Sequence, residues 1–183
     1  MPAFNSTNPN LNWAINRLIH QGSIFKGILD ALQGGMGSVA PKIVVELATQ
    51  WAIGIANDNS HGYDQKNRLG PDYDCSSLVA SAWNHAGLKG IDPAQTSTRN
   101  MREKFQNNGF VQRDFTGFAA CQRGDVLWKS GHCAMYCGNN QIVEAAINEL
   151  GTTRGGRTGD QTGNEIRVTS AYGSWTYVLR WMG

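Results

Sequence analysis

Asp72-Tyr73-Asp74-Cys75-Ser76-Ser77-Leu78-Val79-Ala80-Ser81-Ala82-Trp83-Asn84-His85-Ala86-Gly87 reads as a turn that delivers a cysteine onto the first turn of a helix. Leu78, Val79, Ala82, Trp83 and Ala86 recur at helical spacing and paint one apolar face. Gly87 is the expected stop, because glycine tolerates the positive φ that ends many helices. Asp74 is a natural N-cap, so Cys75 falls at the first helical position, where unpaired N–H groups and the helix dipole favour an anion. A thiol there is acidified: the reference pKa of about 8.5 falls to roughly 3.5–7.5 at helix N-termini or beside a histidinium. Most free cysteines are small buried hydrophobes. Against that, Asp74, Ser76 and Ser77 are costly neighbours for an inert buried thiol and useful ones for a reactive thiol.

The chain of 183 residues is long enough for one domain with a proper core. With 16 basic and 14 acidic residues it lacks the clustered positive charge of a nucleic-acid binder. Cys75, Cys121, Cys133 and Cys137 are too few for a disulfide-stapled scaffold, so free thiols are expected. No charged-then-apolar leader opens the sequence, and no apolar run approaches the ~20 residues of a membrane span. Work outside a cell is therefore expected to depend on another route of release.

Residues 1–40 read as an appendage: a polar start, two short amphipathic helices between Trp13 and Leu32, and a Gly34-Gly35-Met36-Gly37 joint. Residues 41–183 read as the main domain. Pro41 suits a helix start, and Ile43, Val44, Leu47, Ala48, Trp51, Ala52 and Ile55 form a helical stripe to about Ala56. A loop carrying His61, Tyr63 and Gly70-Pro71 leads to the cysteine. Thr96-Ser97-Thr98 reads as the start of a further helix that turns Met101 and Phe105 inward and stops at Gly109. From Phe110 the pattern changes to short strands, around 124–128, 131–137 and 141–145, expected to pair as an antiparallel meander; a glycine-rich loop follows, and 165–168 and 175–181 read as closing strands. Helices first and strands later make an α+β fold, N-terminal helices packed on a C-terminal antiparallel sheet.

A thiolate nucleophile needs a base, and the base an orienting partner. His132 is the candidate base. Strand alternation sets His132, Ala134 and Tyr136 on one face, and turns Cys133, Met135 and Cys137 away from the histidine. Across the Gly138-Asn139-Asn140 turn, Glu144 can accept the second imidazole N–H and fix the tautomer. A zinc site from Cys133 and Cys137 is geometrically poor, because four residues of strand separate them by roughly 13 Å. No metal or cofactor is expected.

Tyr73-Asp74-Cys75-Ser76-Ser77-Leu78-Val79, Gly124-Asp125-Val126 and Gly131-His132-Cys133-Ala134-Met135-Tyr136-Cys137-Gly138-Asn139 resemble the NlpC-type cell-wall cysteine peptidases, compact papain-like hydrolases with CHAP amidases as cousins. The resemblance spans about residues 41–181. Its wording from His61 to Gln65, from Gly70 to Cys75 and from Gly159 to Gly163 is similar to the bacteriophage peptidoglycan amidohydrolases. It implies Cys75 as nucleophile, His132 as base and Glu144 as third polar residue, where many relatives carry a second histidine and the glutamate is more CHAP-like. It further implies Tyr63 beside the oxyanion, the Cys75 N–H completing the oxyanion hole, Asp74 and Ser76 holding a peptide's amino end, and Trp128 either walling the groove or filling the core. Residues 1–40 fall outside the resemblance.

The expected function is a phage-type lysin cleaving an amide of the stem peptide of bacterial peptidoglycan, as an endopeptidase or an N-acetylmuramoyl-L-alanine amidase. Virion association or holin-dependent release would replace a signal peptide, and residues 1–40 would meet other phage components. Two rivals stand beside it: a virion structural module that kept the fold, and an acyltransferase on the same scaffold.

Overall fold

A computed structural model describes residues 40–183. The expected helices between Trp13 and Leu32 and the joint at 34–37 lie outside the described residues. Among the described residues three α-helices come first: α1 (Ala40–Ala56), α2 (Cys75–His85) and α3 (Met101–Gln106). Six strands follow: β1 (Phe110–Asp114), β2 (Val126–Lys129), β3 (His132–Gly138), β4 (Gln141–Ala145), β5 (Ile166–Ser170) and β6 (Tyr177–Trp181). They form one antiparallel sheet in the order β1-β6-β2-β3-β4-β5, so the α+β reading holds.

From β2 to β5 the sheet is the expected meander. The last strand, read as a closing strand, returns across the sheet to sit between β1 and β2, with Leu179 opposite Gln112 on one side and Val126 on the other. Asn139 and Asn140, at φ 51° and 55°, make the tight β3–β4 hairpin, both residues being tolerant of the left-handed region. β5 and β6 begin later than the pattern implies. Glu165 is fully buried with its carboxylate bonded to loop N–H groups, and Trp175 packs in the second core. The third helix also starts late, because the Asn100 carboxamide accepts from the Ser97 N–H at 2.8 Å and its hydroxyl at 3.3 Å, forming a turn before the helix.

Alternation gives the sheet two buried faces. Val126, Cys133, Met135, Cys137, Val143, Ala145, Tyr177 and Leu179 share the main core with the buried residues of α2 and with Ala48 and Ala52 of α1. Leu127, Ala134, Tyr136, Ile142, Trp175 and Val178 fill the opposite face, beneath Phe115 and Phe118. Leu78 and Trp83, the apolar stripe of α2, are fully buried. Each such side chain contributes about 1.5–3 kcal/mol of burial free energy. Glu46 of α1 takes both ends of the Arg123 guanidinium at 2.7 and 2.8 Å, tying that helix to the turn before β2. No helix among the described residues is long and apolar enough to cross a membrane.

The loop between α1 and α2 is clasped by the loop between β4 and β5. One oxygen of Asp72 accepts from Gly62 N–H and Gly159 N–H, each at 2.9 Å, and Glu165 accepts from Tyr63 N–H at 2.9 Å. A Cβ at Gly62 would stand 2.2 Å from the Gly159 carbonyl oxygen, a backbone atom with nowhere to go. Gly62→Ala is therefore predicted to destabilise by about 1–3 kcal/mol, lowering Tm by roughly 2–4 °C per kcal/mol at this size. Differential scanning calorimetry of the purified variant checks it.

Candidate active site

The N-terminus of α2 is built by its own cap. Asp74 Oδ1 accepts from Ser77 N–H at 2.8 Å, and Ser77 Oγ accepts from Asp74 N–H at 3.0 Å, a reciprocal capping box. Cys75 follows as the first helical residue, 5% exposed. Its N–H belongs to the first turn, whose donors have no partner inside a helix.

β3 starts at His132, two strands from the edge of the sheet, and β4 beside it carries Glu144. His132 Nε2 lies 2.8 Å from Glu144 Oε2. Nδ1 is then left free to serve the sulfur of Cys75, which lies near enough for each group to favour the other's charge. The ring is steadied by stacking on Trp175 at 5.7 Å between centroids and 26° between planes. Glu144 has no exposed surface, and its other oxygen accepts from Arg167 Nε at 3.0 Å, Arg167 Nη2 at 2.9 Å and Tyr172 OH at 2.7 Å.

These contacts set the charges. The Cys75 thiol is lowered to about 5, first by a hydrogen bond from the Cys133 thiol and then by the bond and charge of His132, against the opposing effect of burial. Burial alone would depress His132, but its bonds to Cys75 and Glu144 win and raise it to about 9. Glu144 is held down to about 2: burial pushes it up, and the bonds from His132, Tyr172 and Arg167 outweigh that. Near neutral pH the site is a thiolate, an imidazolium and a carboxylate in series. Such an array can attack an amide carbon and hand a proton to the departing nitrogen.

The structure brings Cys75, His132 and Glu144 together, with Tyr63 against them. Tyr63 is buried, and its phenol is pushed up to about 12, chiefly by burial and further by negative charge at Cys75 and Asp74. Asp74 and Ser76 carry a cation from this same chain. Arg68 pairs with Asp74 at 2.5 Å and donates to Ser76 Oγ at 2.8 Å and to the Thr96 carbonyl at 2.7 Å. Trp128 is half-buried against the main core, stacked on Tyr177 at 4.6 Å, with its indole N–H donated to the Thr98 carbonyl at 2.8 Å.

Cys133 corrects one expectation. Alternation does place it on the face opposite Ala134 and Tyr136, but that is the face on which α2 lies, so its thiol meets the Cys75 sulfur. All four cysteines are free, as expected. Arg167, Tyr172, Trp175 and Arg68 are absent from the sequence reading. Glu144 and Arg167 are direct cross-strand partners, and opposite charges facing across a strand pair are a usable signal once the register is known. The loop of twenty residues between the strands hides that register.

Comparison with known proteins bears on the same residues. The model of the NlpC/P60 family matches residues 60–159, more than half of the chain and the stretch that holds Cys75, His132 and Glu144. The model of an endolysin-like domain matches residues 142–182. No curated protein matches the sequence. Among solved structures, the chain is similar to NlpC1 from Trichomonas vaginalis (16% identity, 73% of this chain and 43% of that one, TM-score 0.44). It is also similar to the peptidoglycan hydrolase RipB from Mycobacterium tuberculosis (18% identity, 98% and 95%, TM-score 0.42) and to the resuscitation promoting factor interacting protein RipA (19% identity, 81% and 68%, TM-score 0.44). The chain thus spans less than half the length of the Trichomonas protein. With a family model covering the helix of Cys75 and the strands of His132 and Glu144, this chain belongs to the NlpC/P60 family.

Proposed function

We propose that the chain is a cysteine-dependent peptidoglycan hydrolase of the phage-lysin kind, in which residues 41–183 form the hydrolase and Cys75, His132 and Glu144 carry the reaction. Family membership and the endolysin-like segment support a cell-wall hydrolase. The observation that carries the mechanism is the imidazole of His132, set between the Cys75 sulfur, whose charge it favours, and a buried carboxylate that it meets at 2.8 Å.

In this mechanism the Cys75 thiolate attacks the carbonyl carbon of a stem-peptide amide. The negative charge that develops on the carbonyl oxygen is met by the N–H of Cys75 at the helix start, with Tyr63 beside it. His132 delivers a proton to the leaving nitrogen, the C–N bond breaks, and a thioester remains on Cys75. Water then attacks the thioester as His132 takes up its proton, releasing the carboxylic acid and the thiolate. Glu144 keeps the imidazole in the orientation and tautomer both steps need. Asp74 and Ser76 act through the cap and Arg68, which hold the helix start in place, and Trp128 backs the groove from the core side. The bond cut is a γ-D-glutamyl linkage for an endopeptidase, or the lactyl amide to L-alanine for an amidase.

Cys75→Ala and His132→Ala are each predicted to abolish clearing of a peptidoglycan-containing gel while leaving a cooperative melt. Equal clearing by wild type and Cys75→Ala would end the proposal. Muropeptide masses after digestion separate the two amides, and products carrying an added amine in place of water would indicate acyl transfer instead.

The pH dependence follows from the same pair. Below about 5 the Cys75 thiolate takes up a proton, and above about 9 His132 loses the proton it must give. Turnover of soluble muropeptide is predicted to be bell-shaped between these limits. In Glu144→Gln the alkaline limb should move to lower pH, because a neutral partner no longer stabilises the imidazolium, and kcat should fall on the order of 10²-fold or more.

A further inference from the structure

We infer that Arg167 and Tyr172 are positioning residues for this reaction: together they fix the Glu144 carboxylate so that one of its oxygens is always presented to His132. The inference rests on the reading of Cys75, His132 and Glu144 given above. Three of the four hydrogen bonds to Glu144 fall on the oxygen that faces away from the histidine, two from Arg167 and one from Tyr172. Only Oε2 remains for the imidazole, at 2.8 Å. A carboxylate held at one end in this way cannot rotate to exchange its oxygens or turn from the ring.

Both clamp residues are delivered by the backbone. Arg167 stands directly across from Glu144 in the β4–β5 register. Tyr172 lies in the loop after β5, where the Ala171 N–H donates to the Asn140 carbonyl at 2.8 Å and the Trp175 indole donates to the Tyr172 carbonyl at 3.2 Å. The same Trp175 stacks on His132. One short loop thus supports two members of the series, pressing on the carboxylate through Tyr172 and on the ring through Trp175. Tyr172 is 44% exposed while Glu144 is fully buried, so the hydroxyl reaches inward from a side chain that contributes little to the core.

The charged and titratable groups facing the carboxylate are His132 from β3, Arg167 from β5 and Tyr172 from the loop. Those facing the imidazole are Glu144 and Cys75, with Lys129 opposite it on β2 and seated over the Trp175 ring at 5.0 Å. Removing the clamp changes the first set alone. Glu144 stays ionised near neutral pH, so what the imidazolium loses is the fixed presentation of Oε2 at hydrogen-bond distance rather than the charge itself.

The test titrates the His132 ring by NMR in side-chain-labelled protein, assigned with His132→Gln, in wild type, Tyr172→Phe, Arg167→Gln, the double variant and Arg167→Lys. Kinetics on soluble muropeptide run in parallel. The double variant is expected to titrate His132 roughly one pH unit lower, to move the alkaline limb of activity by the same amount, and to lose kcat roughly tenfold with KM unchanged. Tyr172→Phe, which removes one hydroxyl from a half-exposed side chain, gives a smaller shift in the same direction, and Arg167→Lys recovers part of the loss. An unchanged His132 titration in Tyr172→Phe and in a cooperatively melting double variant overturns the inference. A shifted titration in a protein that cleaves no peptidoglycan would instead count against the proposed function and leave the clamp standing.

Discussion

A negative charge with no exposed surface is the constraint around which this domain is arranged. Burying an isolated carboxylate costs several kcal/mol even after relaxation, and the cost is offset only by close, well-aligned donors. Glu144 has four, drawn from β3, β5 and the loop after β5. Those elements can supply them only in the observed strand order, with β4 between β3 and β5. The charge then travels outward: carboxylate to imidazolium, imidazolium to thiolate. The helix start that receives the thiolate is fixed independently by Asp74 and Ser77.

Two further devices hold the ends of that series together. Asp72, Gly62, Gly159 and Glu165 clasp the loop before Cys75 to the loop before β5, so the segment that presents Tyr63 is tied to the strand that presents Arg167. Arg68 neutralises the cap carboxylate from the other side. Asp74 is thereby occupied twice, by the helix and by a guanidinium, and serves as part of the scaffold for the nucleophile. Cys133 closes the group from beneath, a fully buried thiol that favours the charge on the Cys75 sulfur alongside His132.

Much of this was legible from local pattern. The stripe Leu78, Val79, Ala82 and Trp83 and the Asp74 cap mark the nucleophile helix because both signals act within a few residues. His132 and Glu144 were reachable because a tight Asn139-Asn140 hairpin sets their relative register. What stayed hidden depends on contacts distant in sequence. Nothing in Phe110–Asp114 or Tyr177–Trp181 says that these strands pair with each other and that the last one inserts beside β2. The roles of Arg167 and Tyr172 need the β4–β5 register, which a long loop separates from any local rule. Cys133 shows the limit of periodicity: alternation gives the face, and only packing decides which helix lies on it.

The measurement closest to the centre of the account is the pH dependence of Cys75 alkylation by iodoacetamide, read at that residue by peptide mass in wild type and in His132→Ala. If sulfur and imidazole share charge as the geometry requires, wild-type labelling is already fast near pH 6, and loss of the ring carries it toward the ordinary thiol range near about 8.5. Labelling that rises only in that ordinary range in wild type, or that ignores the loss of His132, would contradict it.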